Sequence, residues 1–340
     1  MKLAAWFTGL AGLVVLIVLM VHEGFGEVVH TLSLAGWALL WLVPFHAVPL
    51  LLDAQGWRTL LVPTDRARRA TLPFLFWVAA VREAVTRLLP SVGVGGEVVG
   101  IRLAALRLAD TSAVTATIIV EVLLTLVVQY VFSALGIVLI LHATQSVNSA
   151  WVMMTGLLLS LPVPIAVVWL LRHGTVFERL EALVRRLFGD ASRLVARLDG
   201  ARLDADVHRL FTQPRRLLVA LAWQFSGYLL GAFETWLALR LLGHPVSVGA
   251  SIGIEALTQA SRHLMFMVPG GLGVQEASVL LFAGMAGIGG EAALSLSLAK
   301  RLREVLFSVP ALMSWQWVEA RQLRRAVALR KVPEGLNSSL

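Results

Sequence analysis

Apolar residues in this chain come in long blocks, and most polar residues are confined to the gaps. Blocks at about 3–21, 33–52, 112–141, 150–171, 217–242 and 291–318 are nearly uninterrupted. Each is close to the roughly 18–25 residues that cross about 30 Å of hydrocarbon as a helix. Two further blocks are broken in the middle. The block 73–108 is interrupted at PSVGVGGE, Pro90 to Glu97, and 249–289 at PGGLGVQE, Pro269 to Glu276. Each half holds about 14–20 residues, short or marginal for a crossing. Each broken block therefore predicts a re-entrant or discontinuous helical hairpin, which returns to its own side; two short spans joined by a tight turn would do the same. The stretch 172–216 is too polar to span. Phe177, Leu180, Val184 and Leu187 recur there at helical spacing, with Glu178, Arg179, Glu181, Arg185 and Arg186 opposite, which predicts an amphipathic surface helix.

Composition strengthens this reading. Hydrophobic residues make up 58% and charged residues 15% of 340, against about 25% charged in a soluble chain. Eleven tryptophans against two tyrosines, with Trp6, Trp37, Trp41, Trp151, Trp315 and Trp317 near block ends, match interface anchors. Lys2 before Leu3–Val21 looks like a signal peptide, but VLMVHEG offers no small-x-small cleavage site, so a retained span is expected. The absence of cysteine excludes disulfides, thiolate catalysis and cysteine-ligated metal or iron–sulfur centres.

A net charge of +8 could suit nucleic acid, but its placement does not. Arg58, Arg66, Arg68 and Arg69 lie in 53–72, ten arginines in 172–216, and Arg321, Arg324, Arg325, Arg330 and Lys331 near the end. The loops 22–32, 142–149 and 243–248 have neither Lys nor Arg. Positive-inside bias then puts both termini, 53–72 and 172–216 in the cytoplasm. The first hairpin enters from that side and the second from the other. The expected fold is an all-α polytopic membrane protein, with about six full spans plus two re-entrant helical hairpins in an inverted repeat. A single membrane domain, 1–320, holds half one (about 33–141), half two (about 217–318) and the linker 172–216; 321–340 forms a basic cytoplasmic tail.

The two breaks match in detail. Each runs from a proline through six Gly-rich residues to a glutamate, Glu97 or Glu276. Each has an arginine upstream, Arg82 or Arg262, and is followed by a long span containing an acid, Glu121 or Glu304. Inverted halves with broken helices are the architecture of alternating-access transporters, whose sites lie at the repeat interface. A charge at mid-bilayer costs roughly 2.5–3.5 kcal/mol on insertion scales, yet these blocks also keep Glu83, Arg87, Arg102, Glu234, Glu255, Lys300, Arg301 and Arg303. Two readings follow: buried ion pairs that set helix register, or a hydrated path for a charged or hydroxylated head group. On the second, Glu97 and Glu276 are paired central acids at helix starts, acting as head-group acceptors or proton carriers. Arg82, Arg262 and Arg303 hold anionic groups by bidentate contacts or balance the acids. Pro90, Gly95, Gly96, Pro269, Gly270, Gly271 and Gly273 form the breaks, where glycine allows close backbone approach. His46, His142 and His263 read as interfacial or hydrogen-bonded residues, and no metal spacing is present. No phosphate-binding loop, Gly-x-Ser-x-Gly or zinc pattern occurs, so neither a cofactor nor a nucleic-acid partner is expected.

At VPGGLGVQE and KRLRE the chain resembles the lysylphosphatidylglycerol synthase transmembrane-region family, a flippase-like membrane domain found alone or fused to an aminoacyl-lipid synthase. The resemblance covers about residues 3–320. Pro269, Gly270, Gly271, Leu272, Gly273 and Glu276 carry its most specific motif. The family's first-half pattern matches Pro90, Gly96, Glu97 and Arg102, although many relatives place that arginine where this chain has Gly100. Many also have an arginine after the acid of the third full span, where Val122 follows Glu121 here. Within the family, LLPSVGVGGEVVGIRLA, RHLMFMVPGGLGVQE and LAKRLREVLFSVPAL are most similar to hopanoid-biosynthesis-associated membrane proteins. The resemblance implies a bacterial inner-membrane translocase for hopanoid or hopanoid-linked lipids, not an enzyme, with membrane lipids and hopanoid-biosynthesis enzymes as partners. The alternatives are a non-transporting scaffold for lipid-modifying enzymes, a flippase for another anionic or aminoacylated phospholipid, and an intramembrane transferase, which the lack of a nucleophile–base motif disfavours.

Overall fold

The computed structural model of the chain describes residues 30, 33, 35–65, 67–89, 95–144, 147–188, 199–265, 268 and 271–330. The expected span at 3–21 and the break residues Pro90, Pro269 and Gly270 lie outside these residues. The described residues form helices and no strand. A 3-10 turn, Gly36–Trp41, leads into α1 (Leu42–Leu61). Then come α2 (Leu72–Leu88), α3 (Gly95–Ala104), α4 (Thr111–Thr144), α5 (Val147–Ser160), α6 (Pro162–His173), α7 (Val176–Phe188) and α8 (Gly200–Phe211). The second half holds α9 (Pro214–Leu241), α10 (Val248–Leu264), α11 (Val274–Met285) and α12 (Gly290–Arg330).

Among the described residues, four stretches are long and apolar enough to cross a membrane: Gly36–Leu61, Thr111–His142, Met154–His173 and Pro214–Leu241. The helix α12 has ample length at 41 residues, but Lys300, Arg301, Arg303 and Glu304 interrupt its apolar sequence. Val127, Val131 and Val138 of α4 and Leu306, Val309 and Met313 of α12 are exposed. So much bare apolar surface suits a hydrocarbon solvent rather than water. The chain is a multi-pass membrane protein.

Local signals account for the helix ends. Pro73 and Pro214 sit in first turns, where the missing N–H costs nothing. Leu89 is extended (φ −102°, ψ 146°) because the following proline disfavours helix there. Ser247 caps α10, accepting from the Ala250 N–H at 3.1 Å. Gly271 and Gly273 have φ of +61° and +75°, which glycine adopts without steric cost, and they turn the chain into α11. One boundary departs from expectation. Helix α1 continues through Leu61 rather than stopping near residue 52, so Asp53 and Arg58 lie inside it.

The packing maps onto itself when α1–α4 are exchanged for α9–α12. Helix α1 packs along α9. Helix α2 packs on α12 as α10 packs on α4, and the short pairs α2–α3 and α10–α11 match. The central pair α1–α9 is antiparallel: Gly227 abuts the Pro49 carbonyl while Gly56 abuts that of Ala220. Two apolar cores close opposite ends of this bundle. One gathers Leu39, Leu42, Ile140, Leu239, Ile254 and Leu296, and the other Trp57, Leu75, Val78, Leu103, Ile118 and Leu312. His46 and Asp53 of α1, Glu121 of α4, and Lys300, Arg301, Arg303 and Glu304 of α12 fall between the parts of each helix that enter the two cores.

The described residues of the polar linker form the two helices α7 and α8. Val207 and Leu210 of α8 pack on Ala116 and Val120 of α4. Asp204 of α8 accepts from the Phe177 and Glu178 N–H groups at 3.3 and 2.9 Å, capping α7. In return Glu181 of α7 accepts from the Gly200 N–H at 2.7 Å.

Candidate functional site

In the first half the site is built around Arg82 on α2, which is 9% exposed. Its Nη1 donates to both carboxylate oxygens of Glu121 on α4, at 3.1 and 2.8 Å. Its Nη2 donates to Glu97 in the first turn of α3. The guanidinium also lies over the Trp57 ring, 5.2 Å from its centroid, and Asp53 adds a further carboxylate to its field. Close approach of α3 makes these contacts possible. A Cβ at Gly96 would lie 2.5 Å from the Arg82 carbonyl oxygen, and one at Gly100 2.6 Å from Arg82 Cδ.

Gly96→Ala is therefore expected to push α3 off α2, at about 1–3 kcal/mol for overpacking. A lowered unfolding temperature of the detergent-solubilised variant would register it; an unchanged one would contradict the close fit.

The second half repeats the plan. Arg262 on α10 donates to Glu304 on α12 at 3.0 Å and to Gln275 in the first turn of α11. Arg82 thus meets Glu97 where Arg262 meets Gln275. Glu276 is instead held by Arg301 of α12, whose Nε donates to it at 2.9 Å and whose Nη1 donates to Glu304 at 3.1 Å. Arg301 Nη2 also reaches the Gly271 carbonyl at 2.9 Å.

Between the halves, His46 of α1 lies 2.9 Å from Glu83 of α2 and 3.2 Å from Glu234 of α9. Arg303 of α12 pairs with Glu234 at 2.9 Å and approaches Glu83 at 3.9 Å. Arg87 reaches Glu83 at 3.6 Å and Glu304 at 3.7 Å, tying α2 to α12. Lys300 pairs with Glu255 and donates to Thr235 at 2.9 Å. The result is a charged seam through the middle of an apolar bundle. Among the described residues, no group of His, Asp and Glu is arranged to hold a metal ion.

The seam contains Arg82, Glu97, Glu121, Arg262, Glu276, Arg303 and Glu304 of the expected set. Glu97 and Glu276 do not share a partner: each is tied to an arginine on a helix of its own half. Their exposures differ, with the Glu97 side chain 29% exposed and that of Glu276 fully buried. Arg102 stays outside. Its side chain is 65% exposed and pairs with Glu319 at 2.8 Å. Gly100 faces α2, and two residues further on a helix turns about 200° away. His46 sits in the seam rather than at an interface, and His263 hydrogen-bonds the Gln259 carbonyl. Asp53 and the bridging role of His46 were not anticipated. Asp53 follows directly on an apolar block, so hydropathy places it in a loop.

A seam that alternates arginine and glutamate across two like halves restricts what the chain can be. The family model for the lysylphosphatidylglycerol synthase TM region matches residues 6–311. The chain belongs to the lysylphosphatidylglycerol synthase transmembrane-region family. The matched region takes in α1 to α11 and all of the seam, so the site belongs to the family domain and is not an addition to it. Membership connects this member of the family to membrane lipids and a flippase-like role. No curated protein and no solved structure matches the chain.

Proposed function

We propose that the protein is a lipid translocase with an inverted repeat, in which the charged seam is the path of the head group. The observation that carries this reading is the repetition of one motif, an arginine bonded to the acid of the following long helix, as Arg82–Glu121 and Arg262–Glu304. Intramembrane charges of this kind mark substrate pathways. A two-fold axis relating the antiparallel α1 and α9 runs perpendicular to both. If those helices cross the membrane, the axis lies in its plane. Helices of 17 and 10 residues in one hairpin, and 17 and 12 in the other, rise only about 15–25 Å, short of the roughly 30 Å of hydrocarbon. We therefore read both pairs as re-entrant, entering from opposite faces. On this reading the full crossings are α1, α4, α5–α6, α9 and α12, with the block 3–21 expected as a sixth from its apolar sequence alone, and both termini cytoplasmic by the arginine distribution.

A lipid would keep its apolar part in the bilayer while its head group exchanges with the glutamates and arginines of the seam. Glu97, the more exposed of the two break acids, is the first point of contact in half one. The likeness of LLPSVGVGGEVVGIRLA and RHLMFMVPGGLGVQE to hopanoid-biosynthesis-associated proteins supports hopanoid or hopanoid-linked lipids as cargo in a bacterial inner membrane, and hopanoid-biosynthesis enzymes as neighbours. No nucleophile–base motif is present, so transport without chemistry on the lipid is the reading adopted.

Leaflet-resolved lipid analysis of a deletion strain tests the cargo. Hopanoid or hopanoid-linked lipid is expected to accumulate in one leaflet at unchanged total amount. Unchanged leaflet ratios with reduced hopanoid synthesis would favour a scaffold instead.

A further inference from the structure

His46 occupies a position that the Arg–Glu pairs do not explain. It has a carboxylate on each ring nitrogen, Glu83 at 2.9 Å and Glu234 at 3.2 Å. The three side chains are 13%, 15% and 2% exposed. An ionised carboxylate only accepts hydrogen bonds, and a neutral imidazole donates through one nitrogen alone. Both contacts can be hydrogen bonds only if the triad holds one more proton, either on the second ring nitrogen or on one of the glutamates.

The groups facing the ring come from every element packed on it. Glu83 and the Arg87 paired with it come from α2, Glu234 from α9, and Arg303 from α12, with Phe307 edge-on at 5.0 Å between centroids. Arginine stays charged in proteins, so the Arg82 and Arg262 pairs cannot be discharged at the base. Histidine can change its charge under cellular conditions.

The triad also joins the two halves. His46 and Glu83 belong to α1 and α2, Glu234 to α9. Loss of the extra proton leaves His46 able to donate to only one glutamate. The α1–α2 or the α1–α9 contact must then lose its hydrogen bond.

We propose that Glu83, His46 and Glu234 form a proton-binding site whose loading and release couple proton movement to the relative motion of the halves. The proposal rests on the translocase reading and supplies its driving ion. Release passes the proton to water on one face, and reloading takes one from the other.

The test uses purified full-length protein in phosphatidylethanolamine–phosphatidylglycerol vesicles carrying a trace of fluorescent phosphatidylglycerol, with and without a pH gradient of two units. One proton per lipid would set a limiting leaflet ratio of about 100 to 1, since each tenfold ratio matches about 1.4 kcal/mol. A shift of several-fold in the leaflet ratio on imposing the gradient is expected, abolished in His46→Gln. If His46→Gln does not fold, Glu83→Gln takes its place, with the same loss expected. Lipid movement that is identical with and without the gradient overturns the coupling and leaves the translocase reading standing. A gradient response that persists in the folded variant overturns the assignment to this triad. Absence of movement under any condition, for this probe and for a hopanoid probe in the same vesicles, removes the translocase reading, and the coupling with it.

Discussion

Arg82→Ala is expected to destabilise the protein by about 3–5 kcal/mol, the range for removing one partner of a buried ion pair. The reason is what remains behind. Glu121, 2% exposed, and Glu97 both lose their cation, in a region closed off by the apolar core around Trp57 and Leu75. The variant should give little folded protein in detergent, or a strongly lowered unfolding temperature. Adding Glu121→Gln should recover part of the loss, because the second change removes the orphaned charge, and residues in one network couple rather than add. Arg102→Ala supplies the control. Its pair with Glu319 is exposed, and such pairs are worth about 0–1 kcal/mol. Equal losses for Arg82→Ala and Arg102→Ala would refute the distinction drawn between seam and rim.

Much of this arrangement was legible in the chain, for physical reasons. Hydrocarbon demands long apolar helices, so α4 and α9 stand out. It also penalises charge, so Arg82, Glu121, Arg262 and Glu304 announce themselves by surviving there. The repeat could be read from matched order alone: arginine, broken helix, acid, long helix with an acid. Pairing was harder to read. Which acid meets which arginine depends on helix rotation and crossing, and Glu276 finds Arg301 of α12 rather than Arg262 of its own hairpin. Arg102 misled because it lies close in sequence to Glu97 while helical geometry turns it to the other side. Asp53 was hidden by the assumption that an acid ends a span; α1 carries it two turns inside its end, facing the seam. The bridging role of His46 needs three helices from two halves to be in place, and no linear pattern reports that.

The second large effect concerns transport. Glu97→Gln combined with Glu276→Gln keeps side-chain size but removes two carboxylate charges. Hydrogen bonds to charged groups contribute about 1.5–3 kcal/mol. If a passing head group uses both acids, lipid movement should fall by about 10–100-fold at 1.4 kcal/mol per tenfold. The unfolding temperature must be measured alongside, since Glu276 also helps fix Arg301. A variant that remains folded and moves lipid at the wild-type rate would show that the break acids hold helices together and take no part in passage.

The most direct measurement is made on the wild-type protein: purified chain in vesicles with a trace of fluorescent lipid, followed by addition of a membrane-impermeant quencher. Protein-free vesicles lose only the fluorescence of the outer leaflet. Vesicles holding the protein are expected to lose nearly all of it, as inner-leaflet lipid crosses and is quenched. If quenching stops at the outer-leaflet fraction for phospholipid and hopanoid probes alike, the charged seam is not a path for lipid.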